Sequence, residues 1–215
     1  MNIQDGLKLK PVFEIPFLGK TGVEIPGVGR DDFAVFLAEN GCKVGVEVGV
    51  DQGEYGIVLC RAGLKVYGVD SYVRYDAYKG EGFYESHYKE ALNNLKGYDY
   101  TIINKFSMDA LNDFEDNSLD FVYIDGNHTL PYISADIFGW ERKVKKGGII
   151  SGHDYAVVKG MRERQEPKTY DGNHVKLAVD ACAFIMRVSR LYILGEKQKK
   201  GGKRDKWRSW FWIKQ

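Results

Sequence analysis

The sequence predicts an α/β fold: a doubly wound, mostly parallel seven-stranded sheet with one antiparallel strand near the C-terminus. Three observations predict it. Short β-rich runs alternate with helical patterns through most of the chain, which places parallel strands beneath helices on both faces. The first such unit turns on glycines, in Glu47-Val48-Gly49-Val50-Asp51-Gln52-Gly53-Glu54. The last two β-rich runs have no helix between them, and parallel neighbours need a crossover, so one of the two runs antiparallel.

The elements follow in order. Residues 1–29, broken by Pro11, Pro16, Pro26 and several glycines, read as an irregular arm or lid. This divides the chain into an N-terminal arm, 1–30, and one α/β domain, 31–215. From Asp31 the apolar pattern Phe33, Val35, Phe36, Leu37 predicts a short amphipathic helix ending near Gly41. Residues 44–50 read as a strand, Glu54 to Ala62 as a helix stopped by Gly63, and residues 66–70 as a second strand. A tyrosine-rich segment with Tyr72, Tyr75, Tyr78, Tyr84 and Tyr88 leads into a helix that ends near Lys96. Further strands are expected at 100–104, 119–124 and 148–151. The last two are separated by a helix from Pro131, a residue suited to a first helical turn. A helix over 175–188 precedes the final strands, 191–194 and 210–213.

Composition narrows the class. With 215 residues, 44% apolar and 13% aromatic, the chain has the material for one packed domain. A formal net charge of +1 disfavours a dedicated nucleic-acid binder, which needs a basic excess. The bases between Lys197 and Arg208 read as a solvated hairpin tip in preference to a polyanion contact. Cys42, Cys60 and Cys182 are odd in number and far apart, the pattern of reduced core thiols. No run has signal-peptide or membrane-spanning character, so no membrane partner is expected and the cytoplasm is the expected compartment. Self-association is left open.

In open α/β sheets the ligand sits beyond the carboxyl ends of the strands, starting at the first strand–turn–helix. A pyrophosphate there wants bare N–H groups and a positive helix end. Glu47, Asp51 and Glu54 would repel a dianion and attract a ligand bearing an ammonium and a sulfonium, while the glycines allow close backbone approach. Asp70 ends the second strand, where a carboxylate can accept both hydroxyls of an adenosine ribose. Ser107 and Met108 follow the third strand, placed for the edge and face of an adenine.

The ordered set Val-Glu47-Val-Gly49-x-x-x-Gly53, Gly-Val-Asp70, Phe-Val-Tyr-Ile-Asp125-Gly-x-His128 and Gly147-Gly148-x-x-x-Gly-His153-Asp154-Tyr155 resembles the Rossmann-like class I S-adenosylmethionine-dependent methyltransferases. Within them it is similar to a branch holding macrolide-sugar O-methyltransferases and, more distantly, catechol O-methyltransferase. The resemblance spans residues 31–215. It implies that Glu47, Gly49 and Gly53 cradle the methionine part of the cofactor, that Asp70 and Asp125 line its site, and that Ser107 and Met108 contact adenine. It further implies a divalent cation, Mg2+ or Mn2+, on Asp125, His153 and Asp154, with His128 as the base. Adjacent strand ends converge, so such groups can share one ion, and oxygen-rich donors suit these metals. His153 departs from the relatives, which carry an acid there. The softer donor leaves Mn2+, Fe2+, Zn2+ or no ion open beside Mg2+.

Asp125 and His128 are three residues apart and can face one cleft, and an imidazole suits proton removal near neutral pH. Asp136, on the following helix, is a candidate to orient His128. His174 reads as a loop residue ahead of a helix. The leading expectation is metal-assisted O-methylation of a small hydroxylated molecule such as a sugar. Two alternatives stand beside it. One is a nucleic-acid or protein methyltransferase docking through residues 197–208, and the other is a cofactor-binding module without catalysis. The tyrosines of residues 71–88 and the polar stretch 155–174, with Arg162 and Arg164, are candidates for a lid over the acceptor or the cofactor.

Overall fold

A computed structural model of the chain describes residues 2–73, 83–156, 173–195 and 207–215. Residues 2–29 are not irregular throughout. They form a one-turn helix, α1 (Ile3–Gly6), and two antiparallel strands, β1 (Phe13–Ile15) and β2 (Gly19–Ile25). The hairpin turn is made with positive φ at Phe17 and Gly19. Then follow α2 (Arg30–Glu39), β3 (Val44–Val48), α3 (Glu54–Arg61), β4 (Lys65–Val69), α4 (Phe83–Asn94) and β5 (Tyr100–Ile103). A short helix α5 (Ser107–Ala110) leads to β6 (Leu119–Ile124), α6 (Leu130–Lys143), β7 (Val144–Gly152), α7 (Val175–Ile185), β8 (Leu191–Leu194) and β9 (Trp210–Ile213). Among the described residues no helix is long and apolar enough to cross a membrane.

The strands form one sheet in the order β1-β2-β8-β9-β7-β6-β3-β4-β5. Seven of them are the expected ones, and β9 is the expected antiparallel strand, paired on both sides with neighbours of opposite direction. The count among the described residues rises to nine because β2 pairs in parallel with β8 and carries β1 beyond it. The free edge of β8 thus finds its partner in the N-terminal segment, which satisfies a row of backbone groups that an edge would leave open.

Alternation along the strands divides the core between two faces. In β6, Val122 and Ile124 face Ile133, Ile137 and Trp140 of α6 and Val175, Val179 and Cys182 of α7. Phe121 and Tyr123 face the other side, against Phe33, Phe36 and Leu37 of α2 and Tyr55 and Leu59 of α3. With both faces covered, the parallel strands need apolar residues at nearly every position, and β6 is buried at five of its six. The three cysteines are free thiols, and burial pushes Cys42 up to about 12 and Cys182 to about 11, values that leave them unreactive at neutral pH.

Candidate active site

The chain leaves β3 toward β4 on one side and returns to its other side as β6. At that switch point a cleft of about 780 Å3 lies beyond the strand ends, walled by the ends of β3, β4 and β6 and by α4, α5 and α6.

Gly49 stands at the centre of this arrangement. Its φ is +91°, and a Cβ there would meet the Asp125 carbonyl oxygen at 2.2 Å. The absence of a side chain lets the ends of β3 and β6 touch, with the Asp125 N–H donating to the Val48 carbonyl at 2.7 Å. Asp70 holds the turn from the other side. Its Oδ2 accepts from the Val50 and Asp51 N–H groups at 3.0 and 3.2 Å, and its Oδ1 accepts from Tyr72 N–H at 2.9 Å. A carboxylate offers about four acceptor sites, so one remains for a ligand hydroxyl. Gly53 does not reach the cleft wall. It starts α3 with φ +79°, and a Cβ there would strike Leu95.

Glu47 also lies off the cleft. It points to the α3 face of the sheet, 2% exposed, where the Tyr100 hydroxyl donates to its Oε2 at 2.5 Å. Burial pushes its carboxyl up to about 8, more than the Tyr100 hydrogen bond draws it down. Glu54 is exposed at the start of α3. The acidic character of the cleft therefore comes from Asp51, Asp70, Asp125 and Asp136.

At the adenine end as read from the sequence, Ser107 and Met108 both line the cleft. The Ser107 hydroxyl donates to Asp136 Oδ1 and accepts from Trp140 Nε1 at 2.8 Å. Asp136 thus engages Ser107, and no hydrogen bond joins it to His128.

His128 sits beside two carboxylates, with Nε2 3.3 Å from Asp125 Oδ1 and 3.1 Å from Asp154 Oδ2. Burial draws its pKa down, but the Asp125 hydrogen bond and the two negative charges outweigh this and leave it above the ordinary histidine value. Burial raises the Asp154 carboxyl, and the Asp125 charge adds to this against the pull of His128. The other oxygens of the pair turn toward His153, whose Nδ1 lies 3.7 Å from Asp125 Oδ2 and from Asp154 Oδ1. Asp154 Oδ1 and His153 Nε2 are buried without a hydrogen-bond partner. The group whose ligand atoms come within 4.8 Å of one another is Asp125, His128 and Asp154, with His153 outside it. The unpartnered Asp154 Oδ1 stands with Asp125 Oδ2 around His153 Nδ1, a mixed oxygen and nitrogen donor set of the kind that fits a divalent cation.

Neighbouring elements hold this centre in place. Asp154 adopts a positive φ of 60°, and its carbonyl accepts from Asn173 Nδ2. The buried Tyr155 donates to Asp180 at 2.7 Å and accepts from Lys176. His174 caps the loop after His128, accepting from Leu130 N–H at Nδ1 while its own N–H donates to the His128 carbonyl.

His87, which no sequence motif singled out, lines the cleft from α4 with Nδ1 against the Asp51 carboxylate. Tyr84 stands three residues before it on the same wall, a helical spacing that could have marked both. Tyr72 donates to the Asp51 carbonyl and packs against Tyr88, with ring centroids 4.8 Å apart. Tyr75, Tyr78, Arg162 and Arg164 lie outside the described residues, as do residues 197–206 of the basic stretch. Arg208 is paired with Glu24 at 2.8 Å.

The chain belongs to the methyltransferase-domain family, whose profile matches residues 46–155 and so takes in every strand end around the cleft. It is an S-adenosylmethionine-dependent methyltransferase. No protein with a curated description matches the sequence. Among solved structures it is similar to the O-methyltransferase of Bacillus cereus in complex with SAH, at 15% identity and a TM-score of 0.57, over 86% of this chain and 80% of that one. It is also similar to the O-methyltransferase TomG of Streptomyces achromogenes, involved in tomaymycin synthesis and in complex with SAM. There the identity is 12% and the TM-score 0.57, over 86% of this chain and 79% of that one. At these identities the likeness is one of fold.

Proposed function

We propose that the protein methylates a hydroxyl group of a small molecule such as a sugar, with His128 as the proton acceptor. The observation that carries this reading is the placement of His128 Nε2 between the carboxylates of Asp154 and Asp125, the latter a residue that lines the acidic cleft. An imidazole so placed can take a proton from a hydroxyl, and the two carboxylates stabilise the imidazolium that results.

S-Adenosylmethionine would lie along Gly49, Asp70 and the Ser107–Met108 wall and supply an electrophilic methyl carbon for in-line displacement. The chain's own part is alignment. Gly49 admits the ligand to the strand ends, Asp70 can accept from one ribose hydroxyl, and the acidic wall favours a cationic ligand over a phosphate. A divalent cation on Asp125 and Asp154, with His153 as third donor, would supply Lewis acidity toward the acceptor oxygen. His128 lies on the opposite oxygens of the two carboxylates and is free for proton transfer in that arrangement. Residues 31–215 are proposed as the catalytic domain and residues 1–30 as an arm fastened to its edge.

Transfer of labelled methyl groups to a panel of hydroxylated sugars and phenols, with and without EDTA, tests the proposal. His128→Ala should lower kcat by about 100-fold or more, the range for loss of a general base. Turnover indifferent to chelator removes the cation from the mechanism. Methylation of amines with none at hydroxyls refutes the oxygen specificity.

A further inference from the structure

Apart from Asp51, whose carboxylate pairs with His87, the cleft contains one carboxylate that neither the turn nor the His128 centre uses. Asp136, on the second turn of α6, is 4% exposed and yet lines the cleft. Its Oδ1 is taken by the Ser107 hydroxyl, and its Oδ2 accepts no hydrogen bond from the described residues. A Cβ on Gly126 would lie 3.9 Å from that Oδ2, so glycine keeps the space beside it clear.

The polarity of the neighbourhood has a definite sense. Ser107 accepts from Trp140 and gives its own proton to Asp136, so its hydroxyl has no donor left for a ligand. Burial pushes the Asp136 carboxyl up to about 6, which leaves it largely ionised at neutral pH and therefore acceptor-only. Ser107 and Asp136 together therefore present an acceptor, and no donor, to a ligand. A ligand edge that fits must bring the donor, and Met108 beside it offers an apolar contact for a ring face.

We propose that Asp136 is a specificity-determining residue that reads the exocyclic amino group of the cofactor's adenine through its open Oδ2, with Ser107 and Trp140 fixing the carboxylate. The proposal rests on the cofactor placement given above. It means that a 6-aminopurine is accepted and a 6-oxopurine, which turns an acceptor toward an acceptor, is refused.

Calorimetry on the full chain, with S-adenosylhomocysteine and S-inosylhomocysteine as the probes, tests this without any methyl transfer. The wild-type protein should favour the adenosyl compound by about 100-fold or more, because a site built for a hydrogen bond rejects a ligand that leaves it unpaired. Asp136→Asn, whose amide can also donate, should bring the two affinities within about fivefold of each other. If Asp136 only braces Ser107 and Trp140, both affinities fall together and their ratio stays at the wild-type value, which overturns the inference. A probe that needs no variant is S-(N6,N6-dimethyladenosyl)homocysteine, which lacks both amino hydrogens. It should bind the wild-type protein about 10- to 100-fold more weakly than the parent, the range for a hydrogen bond to a charged group. Equal binding of these two compounds also overturns the inference, whereas binding of none of the probes overturns the cofactor placement itself.

Discussion

Replacing Glu47 by glutamine should make the protein more stable, and the gain should grow with pH. In the native fold this carboxyl is 2% exposed and is held near 8 by burial, against about 4.5 for an ordinary glutamate. Below pH 4.5 both the folded and unfolded chains carry the proton, and Glu47 sets no pH dependence. Between 4.5 and 8 the unfolded chain ionises while the native one holds its proton. The stability present below 4.5 is therefore lost as pH rises through 8. At about 1.4 kcal/mol per pH unit the gap amounts to about 5 kcal/mol above pH 8 and about 3 kcal/mol at pH 7. Against a typical total of about 5–15 kcal/mol this is a large fraction. Glutamine keeps an oxygen for the Tyr100 hydroxyl and cannot ionise. Urea denaturation of both proteins at pH 4.5 and pH 8.5 isolates the effect, since every other titrating group is common to the two. The variant should match the wild type within about 1 kcal/mol at pH 4.5 and exceed it by several kcal/mol at pH 8.5, roughly 1–2 M in midpoint. A difference that does not widen between the two pH values refutes the buried, proton-holding role assigned to this residue.

Gly49→Ala should fail at two levels, because the new methyl meets the Asp125 carbonyl at 2.2 Å and the backbone φ is +91°. A loss of at least about 2 kcal/mol, seen as a fall in Tm of about 4–8 °C, is expected together with loss of S-adenosylhomocysteine binding. A variant melting within 2 °C of the wild type contradicts the close approach of β3 and β6. Asp70→Ala removes the acceptor of three backbone N–H groups and should loosen the turn, lowering S-adenosylhomocysteine affinity by about 10-fold or more. Calorimetry showing unchanged affinity would exclude Asp70 from the cofactor site.

Much of the fold was legible in the chain because its signals are local. The period of the apolar residues marks α2, α3, α6 and α7 without reference to anything distant, and glycines punctuate the turns between them. Gly49, Asp70, Ser107, Met108 and Asp125 were placed near one another by counting strand ends, since parallel strands under right-handed crossovers deliver successive carboxyl ends to one edge of the sheet. The N-terminal arm failed this test. Its strand β2 gains its meaning from β8, which follows some 170 residues later, and no local pattern announces a partner so remote.

Local pattern specifies the alternation of elements, the glycine turn and the acids at successive strand ends, because a residue's face and position along a strand follow from period alone. Which acids meet the cleft depends on how the elements pack. Side-chain direction sent Glu47 into the α3 interface and gave Asp136 to Ser107. It also brought His87 to the cleft wall from a helix whose local pattern carried no motif. The physical reason is that burial and pairing are properties of the space between elements. They set which carboxylate keeps its proton, and they depend on neighbours that the chain supplies from far away.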